Sequence, residues 1–190
     1  MMKYFPYELV AAGDDLIEQS APELRRAQKR FLATIEKYHL ELERLKPRIS
    51  LAAWDFFRHG LGERGLHDGR LLSLRVGDGL DYSADGTSPF MLNRQRTSAL
   101  VEFLNYEQSF HYTFDLRRVS RVSMDLFIEE GSFAKSLGDL YIYELAAIDE
   151  QILQVGFLFA TGATISIEFE RLVFRRRRID RQYEPGEMYS

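Results

Sequence analysis

Two hydrophobic periods divide this chain. Up to Leu66 the apolar residues recur at three- and four-residue steps, and beyond it they recur at every second position. Ser20-Ala21-Pro22-Glu23 has the layout of a capping box, with Ser at the N-cap, Pro in the first turn and Glu at N3. Leu24, Ala27, Phe31, Ile35, Tyr38, Leu42 and Leu45 then draw one apolar stripe. This predicts a helix of about six to seven turns, ended by Pro47. A second helix is predicted from Ser50, with Leu51, Trp54, Phe57 and Leu61 on one face and Gly60 and Gly62 as stop signals. The lone Trp is expected to pack between this helix and the sheet. Residues 3–19 read as one or two short helical turns interrupted at Gly13.

From Arg70 the period is two. Leu72, Leu74 and Val76 are assigned to one face, Ser73 and Arg75 to the other, and Gly77-Asp78-Gly79 reads as a turn into Leu80–Tyr82. Residues 83–96 read as a loop. Strands are predicted at Ala99–Phe103, at Phe110–Leu116, where apolar and polar residues alternate most cleanly, and at Val122–Leu126. After a loop at 129–138 come three strands, Asp139–Ala147, Ile152–Ala160 and Thr164–Phe174. Their short connections require antiparallel neighbours. Ile165, Ile167 and Phe169 keep phase while Leu172 and Phe174 break it, so a bulge is expected near Glu170-Arg171. The expected fold class is α+β, with N-terminal helices packed on a curved, mainly antiparallel sheet of about six to seven strands. With no linker or repeat visible, the chain reads as a single domain, 1–190: a helical part at 1–66, a sheet part at 67–181 and a tail at 182–190.

Composition narrows the chemistry. The share of hydrophobic residues is 45% and of charged residues 28%, as in a folded globular protein rather than a disordered one. Cysteine is absent, which excludes disulfides, thiolate metal sites and a cysteine nucleophile. Met1-Met2-Lys3-Tyr4-Phe5-Pro6 lacks the apolar run of a signal peptide, and no apolar stretch has bilayer length, so a cytoplasmic protein with no membrane association is the expectation. The net charge of -4 is unevenly spread: residues 67–170 carry 16 acidic against 8 basic residues, whereas 171–181 carry 6 Arg and one Asp. An acidic strand region disfavours nucleic acid and favours a basic protein partner. No phosphate-binding loop, dinucleotide fingerprint, nucleophile elbow or zinc-protease motif occurs, so no cofactor is implied.

Three candidate sites remain. His67-Asp68 stands where helices give way to strands, and its functional reading is a metal-binding or acid–base pair in a ligand-binding or hydrolytic domain. The plain alternative is that both residues shape the turn before Gly69. None of His39, His59, His67 and His111 pairs with another at a metal-ligand spacing. His111 lies in the polar phase of its strand with Thr113 and Asp115, as a ligand-facing or ordinary solvent-facing residue. Arg171 and the run Arg175, Arg176, Arg177 and Arg178 are a candidate anion- or RNA-binding element. Successive strand residues point to opposite faces, so the run cannot form one stripe, and blunting an exposed edge is the plainer role. Glu102, Asp115, Asp125, Glu144, Glu168 and Glu170 would form an acidic patch if they gathered on one sheet face; dispersed surface acids are the default.

Met2-Lys3-Tyr4-Phe5, the run Leu66-His67-Asp68-x-x-Leu71-Leu72-Ser73-Leu74 and the strand meander after it resemble a set of small uncharacterised bacterial cytosolic proteins. Similar His-Asp openings to a β meander occur among immunity-type proteins that neutralise toxins. The resemblance implies a bacterial protein of unknown or toxin-neutralising function, leaves the partner undefined and carries over no catalytic residue. The first expectation is therefore a noncatalytic protein-interaction or immunity-type module. A small-ligand or hydrolytic domain using His67 and Asp68 is the second, and an RNA- or anion-binding protein using the C-terminal arginines the third.

Overall fold

The change of period at Leu66 is a change of architecture. The computed structural model describes residues 2–13, 20–60, 65–79, 96–126 and 137–179. The helices are α1 (Tyr7–Gly13), α2 (Ala21–Leu45) and α3 (Leu51–His59), with a 3-10 turn at Lys46–Arg48. The strands are β1 (Arg70–Gly79), β2 (Arg96–Leu104), β3 (Phe110–Arg117), β4 (Arg121–Asp125), β5 (Leu140–Ala147), β6 (Leu153–Phe159), β7 (Thr164–Phe169) and β8 (Arg171–Arg178). All pairings are antiparallel, in two four-stranded sheets ordered β1-β2-β3-β8 and β4-β7-β6-β5.

The expected α+β class is observed. The single sheet of about six to seven strands is replaced by two sheets. The phase slip at Glu170 explains the difference. There the chain leaves one sheet for the other: Ile165, Ile167 and Phe169 are buried in β7, and Leu172 and Phe174 pack in β8. The β3–β4 junction makes the same crossing, with Arg118 at a positive φ of 58°. Arg118 Nη1 donates to Glu170 Oε2 at 2.7 Å, so the two crossings are tied together. Local irregularities of this kind let a strand turn the corner between packed sheets.

The facing sheets share an aromatic core. Phe103 and Phe114 approach Phe157 with ring centroids 4.9 and 5.5 Å apart. Phe56 of α3 caps this layer, 4.6 Å from Phe174 and stacked on Tyr143 at 4.9 Å. The buried face of α3 is Ala53, Phe56 and Phe57. This corrects the expected stripe: Leu51 is exposed, and Trp54 lies against Lys46 and His59, not between helix and sheet. A nine-residue helix with apolar residues on most sides offers two equivalent stripes, and docking selects one.

Helix α2 follows its sequence pattern. Glu23 accepts from the Ser20 amide at 2.9 Å, and Ala27, Tyr38, Leu42 and Leu45 are buried. Its C-terminal half covers the free edge of β5, where the Tyr38 hydroxyl accepts the Leu145 N–H at 3.1 Å. The residues before α1 form a strap over β5 and β6. Successive amides of Lys3, Tyr4 and Phe5 donate to the carboxylate of Glu144, the latter two at 2.8 and 3.1 Å. Glu144 is buried, so it is no surface acid. Burial raises its pKa, and the three amides oppose that rise.

Strand β1 departs from simple alternation. A bulge between Leu71 and Ser73 leaves Leu72 exposed, while Leu71 and Leu74 pack on the core. Gly77-Asp78-Gly79 is no turn: it stays in β1, opposite Ser98, Thr97 and Arg96. The segments expected at Leu80–Tyr82 and as loops at 83–95 and 129–136 lie outside the described residues, as does the tail at 182–190.

Candidate functional site: the outer face of the first sheet

His67 and Asp68 sit in the turn that enters β1. Gly69 N–H closes the turn onto Leu66 O at 2.8 Å. Asp68 N–H donates to Leu140 O at 2.8 Å, and Leu140 N–H donates to Gly69 O at 2.7 Å. These bonds stitch the start of β1 to the start of β5. Asp68 takes φ 59°, the left-handed region that Asp tolerates better than most residues. A Cβ on Gly69 would lie 2.8 Å from Leu66 O and 2.9 Å from Leu104 O, so only glycine fits. The His67 and Asp68 side chains, 46% and 54% exposed, contact each other at 3.1 Å. No hydrogen bond or ion pair among the described residues joins them to His111. Arg70 and Leu104 occupy the register positions between the turn and that histidine.

Cross-strand partners in an antiparallel pair point to the same face. Register therefore places Ser73, Glu102, Thr113 and Arg175 in one row across the outer face of the first sheet. Neighbouring rows hold Arg70, Leu104, His111 and Arg177, and Arg75, Leu100, Asp115 and Val173. Glu102 is the hub. Its Oε2 accepts from Ser73 Oγ at 2.6 Å and Arg75 Nη2 at 2.7 Å, and its Oε1 lies 3.4 Å from His111 Nε2. The Ser73 hydrogen bond, with help from Arg75, holds the Glu102 pKa below its ordinary value against the opposing effect of burial. Glu102 and His111 are each 21% exposed, so the cluster is open to solvent on one side.

The arginines divide as strand geometry requires. Arg175 and Arg177 share the outer face with Thr113 and His111, and Arg171 sits opposite Arg117. Arg176 points the other way, 5.3 Å from the Phe110 ring centroid. Arg178 pairs in register with Phe110 on that same side. Asp115 is matched by Arg117 at 3.1 Å. Among the described residues Arg171, Arg175, Arg177 and Arg178 form no ion pair.

The six carboxylates do not gather into an acidic face. Glu102 and Asp115 lie on the outer face of the first sheet beside cations, and Glu144 is buried. Glu168 is 3.9 Å from Arg121, Glu170 is bonded to Arg118, and Asp125 ends β4. The acidic character of the strand region did not become one patch, because these residues are divided between two sheets and Glu144 is covered by the N-terminal strap.

The cluster's geometry does not suit nucleophilic catalysis. A serine nucleophile needs an effective base on its hydroxyl proton, whereas the Ser73 hydroxyl donates its hydrogen bond to Glu102, a carboxylate that this bond and Arg75 hold below its ordinary pKa and so leave a poor base. Among the described residues no three His, Asp or Glu side chains stand close enough to hold a metal ion, and no helix is long and apolar enough to cross a membrane. Sequence reasoning placed His111 in the polar phase of its strand and split the arginine run between two faces, but it missed Glu102, Ser73, Arg75 and two of the arginines as companions of His111. The signal was present in the alternation of β1 and β2, yet the register that joins them is set by tertiary pairing.

The sequence matches no family model, and neither a curated protein nor a solved structure matches it.

Proposed function

We propose that this protein is a noncatalytic interaction module that receives a negatively charged protein surface on the outer face of its first sheet. The observation that carries this reading is the row of Arg171, Arg175 and Arg177, exposed on one face of β8, beside His111 and without a carboxylate partner among the described residues. Exposed cations without a carboxylate partner among the described residues favour association with anions at low ionic strength. Glu102 and Asp115 are already matched by Arg75 and Arg117, so they do not cancel the β8 charges. The partner on this reading is acidic, in contrast to the basic one that net charge suggested. A toxin-neutralising protein, as the sequence resemblance implies, is one form that such a module takes.

Chromatography on immobilised polyglutamate tests the reading. The wild-type protein is expected to be retained at low salt and released as salt rises. The double variant R175A/R177A is expected to elute markedly earlier. Passage of the folded wild-type protein without retention would overturn the proposal.

A further inference from the structure

Strand β8 closes the first sheet on one side, and no strand lies beyond it among the described residues. Which of its amides face outward follows from the ladder. Ile179 N–H donates to Ser109 O at 2.8 Å, and 110 pairs with 178 in register. In an antiparallel ladder, hydrogen-bonding residues alternate. Arg171, Val173, Arg175 and Arg177 therefore direct their backbone groups at β3. Leu172, Phe174, Arg176 and Arg178 direct theirs away from the sheet. The result, among the described residues, is an edge of alternating N–H and C=O groups with no neighbouring strand, partly buried at Leu172 and Phe174, exposed at Arg176 and Arg178, and with arginine side chains on both faces.

Resting on the acidic-partner reading above, we infer that the occupant of this edge is an extended acidic segment of a partner protein, added as a fifth strand to the first sheet. Three features select that occupant. An added strand supplies donors and acceptors at the spacing of the free β8 edge. Its side chains alternate between the two faces, where Arg171, Arg175 and Arg177 stand on one side and Arg176 and Arg178 on the other. Acidic residues on both faces of the segment are thus matched, which a single phosphate track is not. A second copy of β8 is disfavoured, since antiparallel pairing would set arginine against arginine.

The experiment measures binding of a fluorescent peptide of four Glu-Val repeats by anisotropy at low salt. Three comparisons accompany it: a Glu-Pro repeat of the same length and charge, single-stranded oligothymidylate, and the protein variants R176P and R176A. The two variants lose the same charge and the same contact with Phe110. Proline additionally removes an outward amide while leaving the β3 side of the ladder intact. The expected result is binding of the Glu-Val peptide at least tenfold tighter than the Glu-Pro peptide, kept by R176A to within about threefold and lost by at least tenfold in R176P. Circular dichroism confirms that R176P is folded; should it unfold, the Glu-Val against Glu-Pro comparison on wild type decides alone. Equal binding of both peptides would overturn strand addition while leaving the acidic-partner reading standing. Absence of binding by either peptide would overturn both. Preference for the oligothymidylate would assign the edge to nucleic acid and also overturn the inference.

Discussion

Truncation of Glu144 to alanine is the sharpest perturbation of this fold. The side chain is fully buried, and its carboxylate is the shared acceptor for the amides of Lys3, Tyr4 and Phe5. Hydrogen bonds to a charged acceptor contribute about 1.5–3 kcal/mol each, and a buried amide left without a partner costs about 1–3 kcal/mol. If the strap stayed docked in Glu144→Ala, three amides would be orphaned. If it lifted away, burial of Met2 and Phe5 would be lost, at about 1.5–3 kcal/mol per side chain. Release recovers chain entropy and so limits the loss. The expected destabilisation is about 3–5 kcal/mol, less than the sum of three such hydrogen bonds because the released strap regains chain entropy.

Urea unfolding at neutral pH measures the loss, and amide hydrogen exchange at Tyr4 and Phe5 locates it. Both amides should move from protected to freely exchanging. The pH dependence has a definite sign. Burial raises the folded pKa of Glu144 above its ordinary value of 4.5, so the folded state takes up this proton first. The contribution of this group to stability therefore grows as pH falls through the raised pKa toward 4.5, and shrinks as pH rises through that interval. The advantage of wild type over Glu144→Ala should follow the same course. A loss below about 1 kcal/mol, with Tyr4 and Phe5 amides still protected, would refute the strap as a stabilising element.

Two further outcomes follow from the sheet and its entry turn. Gly69→Ala should cost about 1–3 kcal/mol in urea unfolding, because its methyl group meets two backbone carbonyls. His67→Ala, which removes an exposed ring, should stay within about 0.5 kcal/mol of wild type; the reverse ranking would remove the architectural account of the His-Asp turn. Glu102 has the opposite pH sign to Glu144. Its folded pKa is lowered, so its stabilisation is complete above the ordinary 4.5 and is lost as pH falls through the lowered value. The stability difference between wild type and Glu102→Gln, followed by thermal unfolding from about pH 6 to about pH 3, should narrow below 4.5; a difference that widens there would contradict the Ser73 and Arg75 contacts.

Some of this was legible along the chain because it depends on neighbours in sequence. The long stripe from Ala27 to Leu45 gave α2, Ser20 and Glu23 gave its start, and the alternation from Phe110 to Leu116 gave β3, with Tyr112, Phe114 and Leu116 buried and Phe110 partly so. The separation of Arg175 and Arg177 from Arg176 also follows from strand periodicity alone. Other features were visible but ambiguous. The slip after Phe169 marked a real irregularity, but a bulge within one sheet and a crossing between two leave the same trace in sequence. Phe56 and Trp54 competed for the buried side of α3 on equal terms until the sheets were in place.

What tertiary structure alone decided is which polar residues meet. Glu102 reaches Ser73, Arg75 and His111 only because three strands, two of them joined through the long span at 80–95, adopt one register. Glu144 looks like its fellow carboxylates in sequence, yet a strap from the far N-terminus buries it, across 139 to 141 residues of chain. Periodicity is a local property of the backbone and survives in the sequence. Register, sheet membership and the desolvation of a charge are fixed by long-range packing, which sets the solvent exposure that turns a glutamate into a surface acid or a buried anchor.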